Sequence, residues 1–180
     1  MKQTLTTFSL TLAFAVSSAF ANSNATAIND GVTKSRIETK VRHELLTLPY
    51  LGIFDNLQYR VDGSTVTLLG QVARPVLKSD AGNVIKHLEG VTAVNNQIEV
   101  LPLSSFDDQI RLRVAQNVYG QPALNRYALG AYPSIHIIVK NGNVVLEGFV
   151  ANKMDAQIAY MQANQVFGTF SVKNNLQIDR

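Results

Sequence analysis

Three histidines, a pair of adjacent acids and one serine after a glycine are the residues best suited to chemistry. His43, His87 and His136 are widely separated, and none sits in an H-x-H or H-E-x-x-H pattern. A metal site needs ligands that converge on one point, usually with a carboxylate or thiolate among them. The chain has no cysteine, so each histidine is expected to be structural. No G-x-S-x-G elbow is present, and Ser64 follows Gly63 where the chain reads as a turn, an ordinary place for serine. Asp107-Asp108 looks like a paired acid, but it stands beside Ser105 at the opening of a helix. Acids favour the positive end of a helix dipole, so capping is expected there. Gly120 and Gly130 flank "QPALNRYAL" without the spacing of a phosphate loop or a dinucleotide fingerprint. These residues give no catalytic set, no cofactor and no metal. The lack of cysteine also removes disulfides, a thiol nucleophile and an N-terminal lipidated cysteine.

Two features suit binding instead. Lys34, Arg36, Lys40 and Arg42 precede or lie on a first helix, and Arg111 and Arg113 lie on a second copy of it. Arg36 and Lys40 share a helix face. Cations beside apolar residues suit anionic headgroups, each worth on the order of 1 kcal/mol at a charged membrane. The competing reading is a solvated face, since Glu38, Glu44, Asp107 and Asp108 dilute the charge. The second feature is a pair of loops, "LPYLGIF" (residues 48–54) and "YGQPALNRYALGAYP" (residues 119–133). Arg126, Tyr127 and Leu129 in the longer loop suit contact with lipid or a protein partner. Alternatively, these side chains close an open end of a small core or fill a seam between two units.

The elements that must position these residues are written twice. Val66, Leu68, Gly70 and Val72 in "STVTLLGQV" reappear 78 residues later as Val144, Leu146, Gly148 and Val150 in "GNVVLEGFV". Ala81 pairs with Ala159, Gly90 with Gly168, and Val94, Asn96, Ile98 and Val100 with Val172, Asn174, Leu176 and Ile178. Upstream, Ile37 and Val41 match Ile110 and Val114 at an offset of 73, so the second copy carries five extra residues. A repeat of about 70 residues is the first organising fact.

Each unit reads as helix, strand, strand, helix, strand. Ser35-x-x-Glu38 has the form of a capping box, and Ile37, Val41, Leu45 and Leu48 follow at helical spacing. Asn56 to Val61 and Ser64 to Val72 alternate as strands around Asp62-Gly63, with Asn141-Gly142 as the matching hairpin turn. A second helix starts near Pro75 and is expected to bury Leu77, Ala81, Val84, Ile85 and Leu88 before ending at Gly90. Its counterpart runs from Asn152 to Gly168. A last strand follows, Val91 to Leu101 and Thr169 to Ile178. The expected fold class is α+β: two tandem α-β-β-α-β sandwiches, each a three-stranded sheet with two helices on one face. Gly70 and Gly148 are expected to permit a bulge or a close helix approach, since glycine otherwise weakens a strand.

Residues 1–21 read as an export signal, with Lys2, an apolar run from Leu10 to Phe20, and Ala19-Phe20-Ala21 as the cleavage site after Ala21. Residues 22–33 are then a flexible lead, 34–102 the first unit and 106–180 the second. The formal net charge of +3 falls to +2 without Lys2, a mild balance that does not call for nucleic acid. A disulfide-free exported chain suits a bacterial periplasm.

The order "VTLLGQV … AGNVIKHLEGVTAVNNQIEV" resembles the BON domain of bacterial envelope proteins, and "VVLEGFV … FGTFSVKNNLQI" repeats it more loosely, with Phe167-Gly168-Thr169 in place of Glu89-Gly90-Val91. The resemblance covers residues 34 to 180 and is to dual-BON periplasmic proteins of the osmotically inducible type. It implies a non-enzymatic module tied to envelope stress, to phospholipid surfaces and to other envelope proteins. It supplies no catalytic residues. The expected partner is an anionic phospholipid surface met peripherally, with a chaperone-like or adaptor role toward envelope polypeptides as the alternative. A hydrolase with an unrecognised site ranks last and would need His136, a carboxylate and a nucleophile in one cleft.

Overall fold

In a computed structural model the described residues are 19–130 and 132–179, with side chains described from residue 33 onward. The export signal expected over residues 1–21 lies outside them, apart from the backbone of 19–21. Each unit is the α+β sandwich that the repeat implies. The first comprises α1 (Ala19–Leu46), β1 (Asn56–Asp62), β2 (Thr65–Val72), α2 (Pro75–Lys86), β3 (Ala93–Asn96) and β4 (Glu99–Val100). The second comprises α3 (Ser105–Tyr119), a 3-10 turn (Asn125–Ala128), β5 (Ile135–Lys140), β6 (Asn143–Val150), α4 (Lys153–Asn164), β7 (Ser171–Asn174) and β8 (Gln177–Ile178).

The central strand of each sheet is the repeated line. β2 pairs antiparallel with β1 and parallel with β3 and β4. β6 does the same with β5, β7 and β8. The parallel pairing follows from the intervening helix, which returns the chain to the same end of the sheet. Alternation sends Val66, Leu68 and Val72 into the first core, where they meet Ile37, Val41 and Leu45 of α1 and Leu77, Ala81 and Ile85 of α2. Val144, Leu146 and Val150 meet Ile110, Val114 and Val118 of α3 and the alanine face of α4. Val84 and Leu88, expected in the core, are only half-buried against it.

Five local expectations are corrected. The last strand of each unit is broken in two. Asn96 donates from its side-chain amide to the Lys78 carbonyl of α2 at 2.7 Å and accepts from the Ile98 N–H at 3.2 Å. Asn174 makes the same two bonds, to Ala156 and Leu176. One side chain thus ties the helix to the sheet and bends its own strand, so the strand cannot run straight through.

Second, the backbone of residues 22–33 belongs to α1, which begins at Ala19. Ser35 therefore lies inside the helix, where its carbonyl accepts the Thr39 hydroxyl at 2.9 Å, and the capping box does not form. No proline interrupts the helix between Ala19 and Leu46, so nothing forces a later start.

Third, Asp62 pairs with Thr65, so the first hairpin turns on Gly63-Ser64 rather than Asp62-Gly63. Positive φ falls on Gly63 in the first unit and on both Asn141 and Gly142 in the second. Fourth, α2 is capped by His87, and Gly90 with φ of 90° serves the turn beyond it. Fifth, the close approach at Gly70 and Gly148 is to a strand and not to a helix. A Cβ at Gly70 would lie 1.9 Å from the Asn56 carbonyl oxygen, and one at Gly148 would lie 2.0 Å from that of Ser134.

The units touch along the edge of the second sheet. Ile137 of β5 donates its N–H to the Ile53 carbonyl at 2.7 Å, and Phe54 packs against the second core. Lys140 pairs with Glu99 across the same seam at 2.5 Å. The loop "LPYLGIF" thus spends Phe54 and a backbone carbonyl on the neighbouring unit, while Tyr50 stays exposed beneath Arg74.

Candidate functional site

The cations proposed from sequence part company once placed. Arg111 is 4% exposed. Its guanidinium pairs with Asp108 and donates to the Val139 carbonyl at 2.7 Å, so it fastens α3 to β5 and cannot meet a headgroup. The helical period accounts for this: Arg111 stands three residues before Val114 and seven before Val118, on the inward stripe of α3. Lys40 is bound to Glu89 at 2.8 Å and holds that carboxyl below its ordinary range. Lys34 lies 4.0 Å from Glu38. Arg36 and Arg113 remain exposed, and among the described residues neither is within ion-pair distance of a carboxylate.

The longer loop divides in the same way. Tyr127 donates its hydroxyl to Asp155 at 2.5 Å and accepts the Ala151 N–H at 2.8 Å. Arg126 pairs with the same carboxylate and lies over the Tyr127 ring, 4.9 Å from its centroid. The Tyr127 hydroxyl, with Arg126, holds the Asp155 carboxyl below the usual range. Asn152 caps α4 through the Asp155 N–H. Arg126 and Tyr127 therefore clamp the start of α4, the core-closing alternative, rather than standing free for a partner. Leu129, at 73% exposed, does stand free.

The Asp107-Asp108 pair also separates. Ser104 is the cap of α3, accepting the Asp107 N–H at 3.1 Å. The buried Asp107 carboxylate reaches across to the β5–β6 turn and accepts from Asn141 at 2.9 Å and Gly142 at 2.8 Å. Two charge-assisted bonds to backbone donors that have no other partner fix that turn to the helix. Asp107→Ala is expected to cost about 2–3 kcal/mol of second-unit stability, with the first unit unaffected. Denaturant unfolding followed by amide exchange per unit measures it.

His136 faces a cleft of about 610 Å³ between the units, with Arg42, Leu46 and Tyr59 on one side and Tyr132, Glu147 and Phe149 on the other. Its ring lies 4.6 Å from Tyr132, and it is 6% exposed. Burial pushes its pKa down to about 4. Ser134 and Glu147 line the same cleft, and Glu147 sits opposite His136 in the ladder. The trio makes no relay. Glu147 accepts from Asn175 at 2.7 Å, and the buried Nδ1 of His136 has no hydrogen-bond partner. A general base works best when it titrates near the working pH, and burial holds His136 well below that range.

Sequence reading missed an aromatic end of the second unit. Phe106 opens α3, and Phe167 and Phe170 flank the turn after α4. They are 47%, 87% and 78% exposed. Phe106 rests against Gly168 and Phe170 against Gly142, which gathers all three at one end of the sandwich. The signal was available in the repeat: the first unit has Thr33, Glu89 and Thr92 at these places.

Among the described residues no helix is long and apolar enough to cross a membrane. No curated protein matches the chain. Two solved structures of CdsD, a structural protein of the type III secretion system of Chlamydia trachomatis, are similar to it. One has 15% identity and a TM-score of 0.32, over 79% of this chain and 64% of that one. The other, the C-terminal domain of CdsD, has 12% identity and a TM-score of 0.26, over 79% of this chain and 96% of that one. Likeness of this degree bears on neither partner nor activity. The BON-domain profile matches residues 33–102 and again residues 107–180. With most of its length matched in two copies, and with each copy folded as a helix-flanked sheet, the chain belongs to the BON-domain family as a tandem pair.

Proposed function

We propose that the chain is a non-enzymatic periplasmic protein of envelope maintenance and envelope stress, of the osmotically inducible type, that contacts anionic phospholipid surfaces. BON domains are non-catalytic binding domains that bind phospholipids in envelope-related proteins. The observation that carries the reading is the pair of exposed, uncompensated cations on the first helix of each unit, Arg36 and Arg113. The export signal read over residues 1–21 supports the periplasm, and a mature N-terminus at Asn22 in the periplasmic fraction tests that part.

Co-sedimentation with vesicles at low salt tests the lipid part. Arg113→Glu is expected to lower binding to anionic vesicles by about thirtyfold, since reversal removes one attraction and adds one repulsion of about 1 kcal/mol each. Arg111→Glu, by contrast, is expected to unfold the second unit and is no probe of a surface. Equal, weak binding to anionic and zwitterionic vesicles would sink the lipid reading. Leu129 keeps the alternative open, a chaperone-like or adaptor contact with envelope polypeptides. Suppression of aggregation that is lost in Leu129→Ser would favour it.

A further inference from the structure

The two copies differ in charge at one end of the sandwich. Lys40 and Arg113 are equivalent, as are Glu89 and Phe167. In the first unit Glu89 neutralises Lys40 at 2.8 Å. In the second the partner carboxylate has become a phenyl ring, and among the described residues Arg113 is left with the Gln109 side chain alone, at 3.5 Å. The same substitution recurs beside it. Thr92 bonds to Ser64 at 2.7 Å in the first unit, and its equivalent is the exposed Phe170. Thr33 is likewise replaced by Phe106.

The remaining charges at this end do not oppose an anion. The Asp107 carboxylate is consumed by two backbone donors, Asp108 is paired with Arg111, and Glu99 is paired with Lys140. The rings line neither the cleft between the units nor the smaller one at the linker. They come from two separate segments and stand out from the surface. Separate exposed rings beside an unpaired cation have the composition of an interfacial anchor: the rings enter the headgroup–acyl boundary while the cation holds an anionic headgroup.

Resting on the lipid reading above, we infer that Phe106, Phe167 and Phe170 form a wedge by which the second unit alone inserts into an anionic bilayer, with Arg113 as its headgroup contact. The equivalent end of the first unit has no ring to insert, and there Lys40 is closed by Glu89 and Thr92 by Ser64.

The chain has no tryptophan, so one introduced indole reports its own position without background. Phe167→Trp is expected to shift to the blue on mixing with phosphatidylglycerol-containing vesicles and to be quenched by lipids brominated on the acyl chains. Glu89→Trp is expected to do neither. Phe167→Glu with Phe170→Thr, which copies the first unit, is expected to reduce the vesicle-bound fraction by about tenfold or more with an unchanged circular dichroism spectrum. If Phe167→Trp stays unshifted and unquenched while the chain still pellets with anionic vesicles, the wedge is overturned and the lipid reading stands. If the chain pellets with no vesicle, both fall. Self-association, or binding of an unfolded polypeptide, that depends on Phe167 without any vesicle response would also overturn the wedge.

Discussion

Gly148→Ala unfolds the second unit. A methyl group there would stand 2.0 Å from the Ser134 carbonyl oxygen, which is backbone and paired in the sheet, at a φ of 109° that side chains rarely adopt. The two penalties add. The strand must peel away from β5 or the residue must leave its conformation, and either breaks the central ladder. A cost above about 4 kcal/mol is expected, at the upper end for single substitutions, and a domain of this size has little more to lose. Gly70→Ala is expected to do the same to the first unit, because its Cβ would meet the Asn56 carbonyl oxygen at 1.9 Å. Gly63→Ala separates the two penalties: φ is 61° but nothing lies within 4 Å, so about 1–2 kcal/mol is expected. Thermal unfolding of the three variants, with amide exchange assigning the loss to a unit, checks the ranking. A Gly148→Ala chain that melts like the parent would contradict the sheet geometry.

Acidification weakens the chain through His136. Burial lowers its pKa to about 4 from an ordinary 6.5. Below pH 6.5 the unfolded chain takes up a proton that the folded chain refuses, so stability falls as pH drops. The loss continues until the folded pKa is reached. Between pH 7 and 4.5 it amounts to about 2–3 kcal/mol. Asp55, buried nearby and raised by burial, acts in the opposite direction: its carboxyl takes up a proton more readily in the folded state and offsets part of the loss near the carboxylate range. Urea unfolding at the two pH values measures the difference. His136→Asn removes the titrating group and is expected to flatten the profile. A variant with the parent's slope would assign the acid sensitivity elsewhere.

The repeat made the fold legible because one apolar face and one glycine must recur wherever a central strand recurs. Asn152 as a cap and Pro75 at a helix start were equally legible, since their chemistry is local. What escaped depended on partners distant in sequence. Asn96 reads as an ordinary strand residue until Lys78 of α2 stands beside it. Arg111 reads as a surface cation until the Val139 carbonyl and Asp108 close on it. The start of α1 escaped because a capping box is a local preference that a longer helix overrides. For the candidate site the sequence supplied Arg113 but also Arg126 and Tyr127, which the structure commits to the start of α4. The aromatic end was visible as the change from Glu89 to Phe167. Its meaning needed the Lys40–Glu89 bond, which shows what the second unit has given up.

The most direct test of the account is co-sedimentation of residues 22–180 with vesicles of zwitterionic lipid alone and with an added anionic phospholipid, across a salt series. The account predicts binding only to the anionic vesicles, weakened as salt rises through the screening of Arg113 and its neighbours, with a residue that persists because the phenyl rings are insensitive to salt. Binding that ignores headgroup charge, or none to either vesicle, would contradict it.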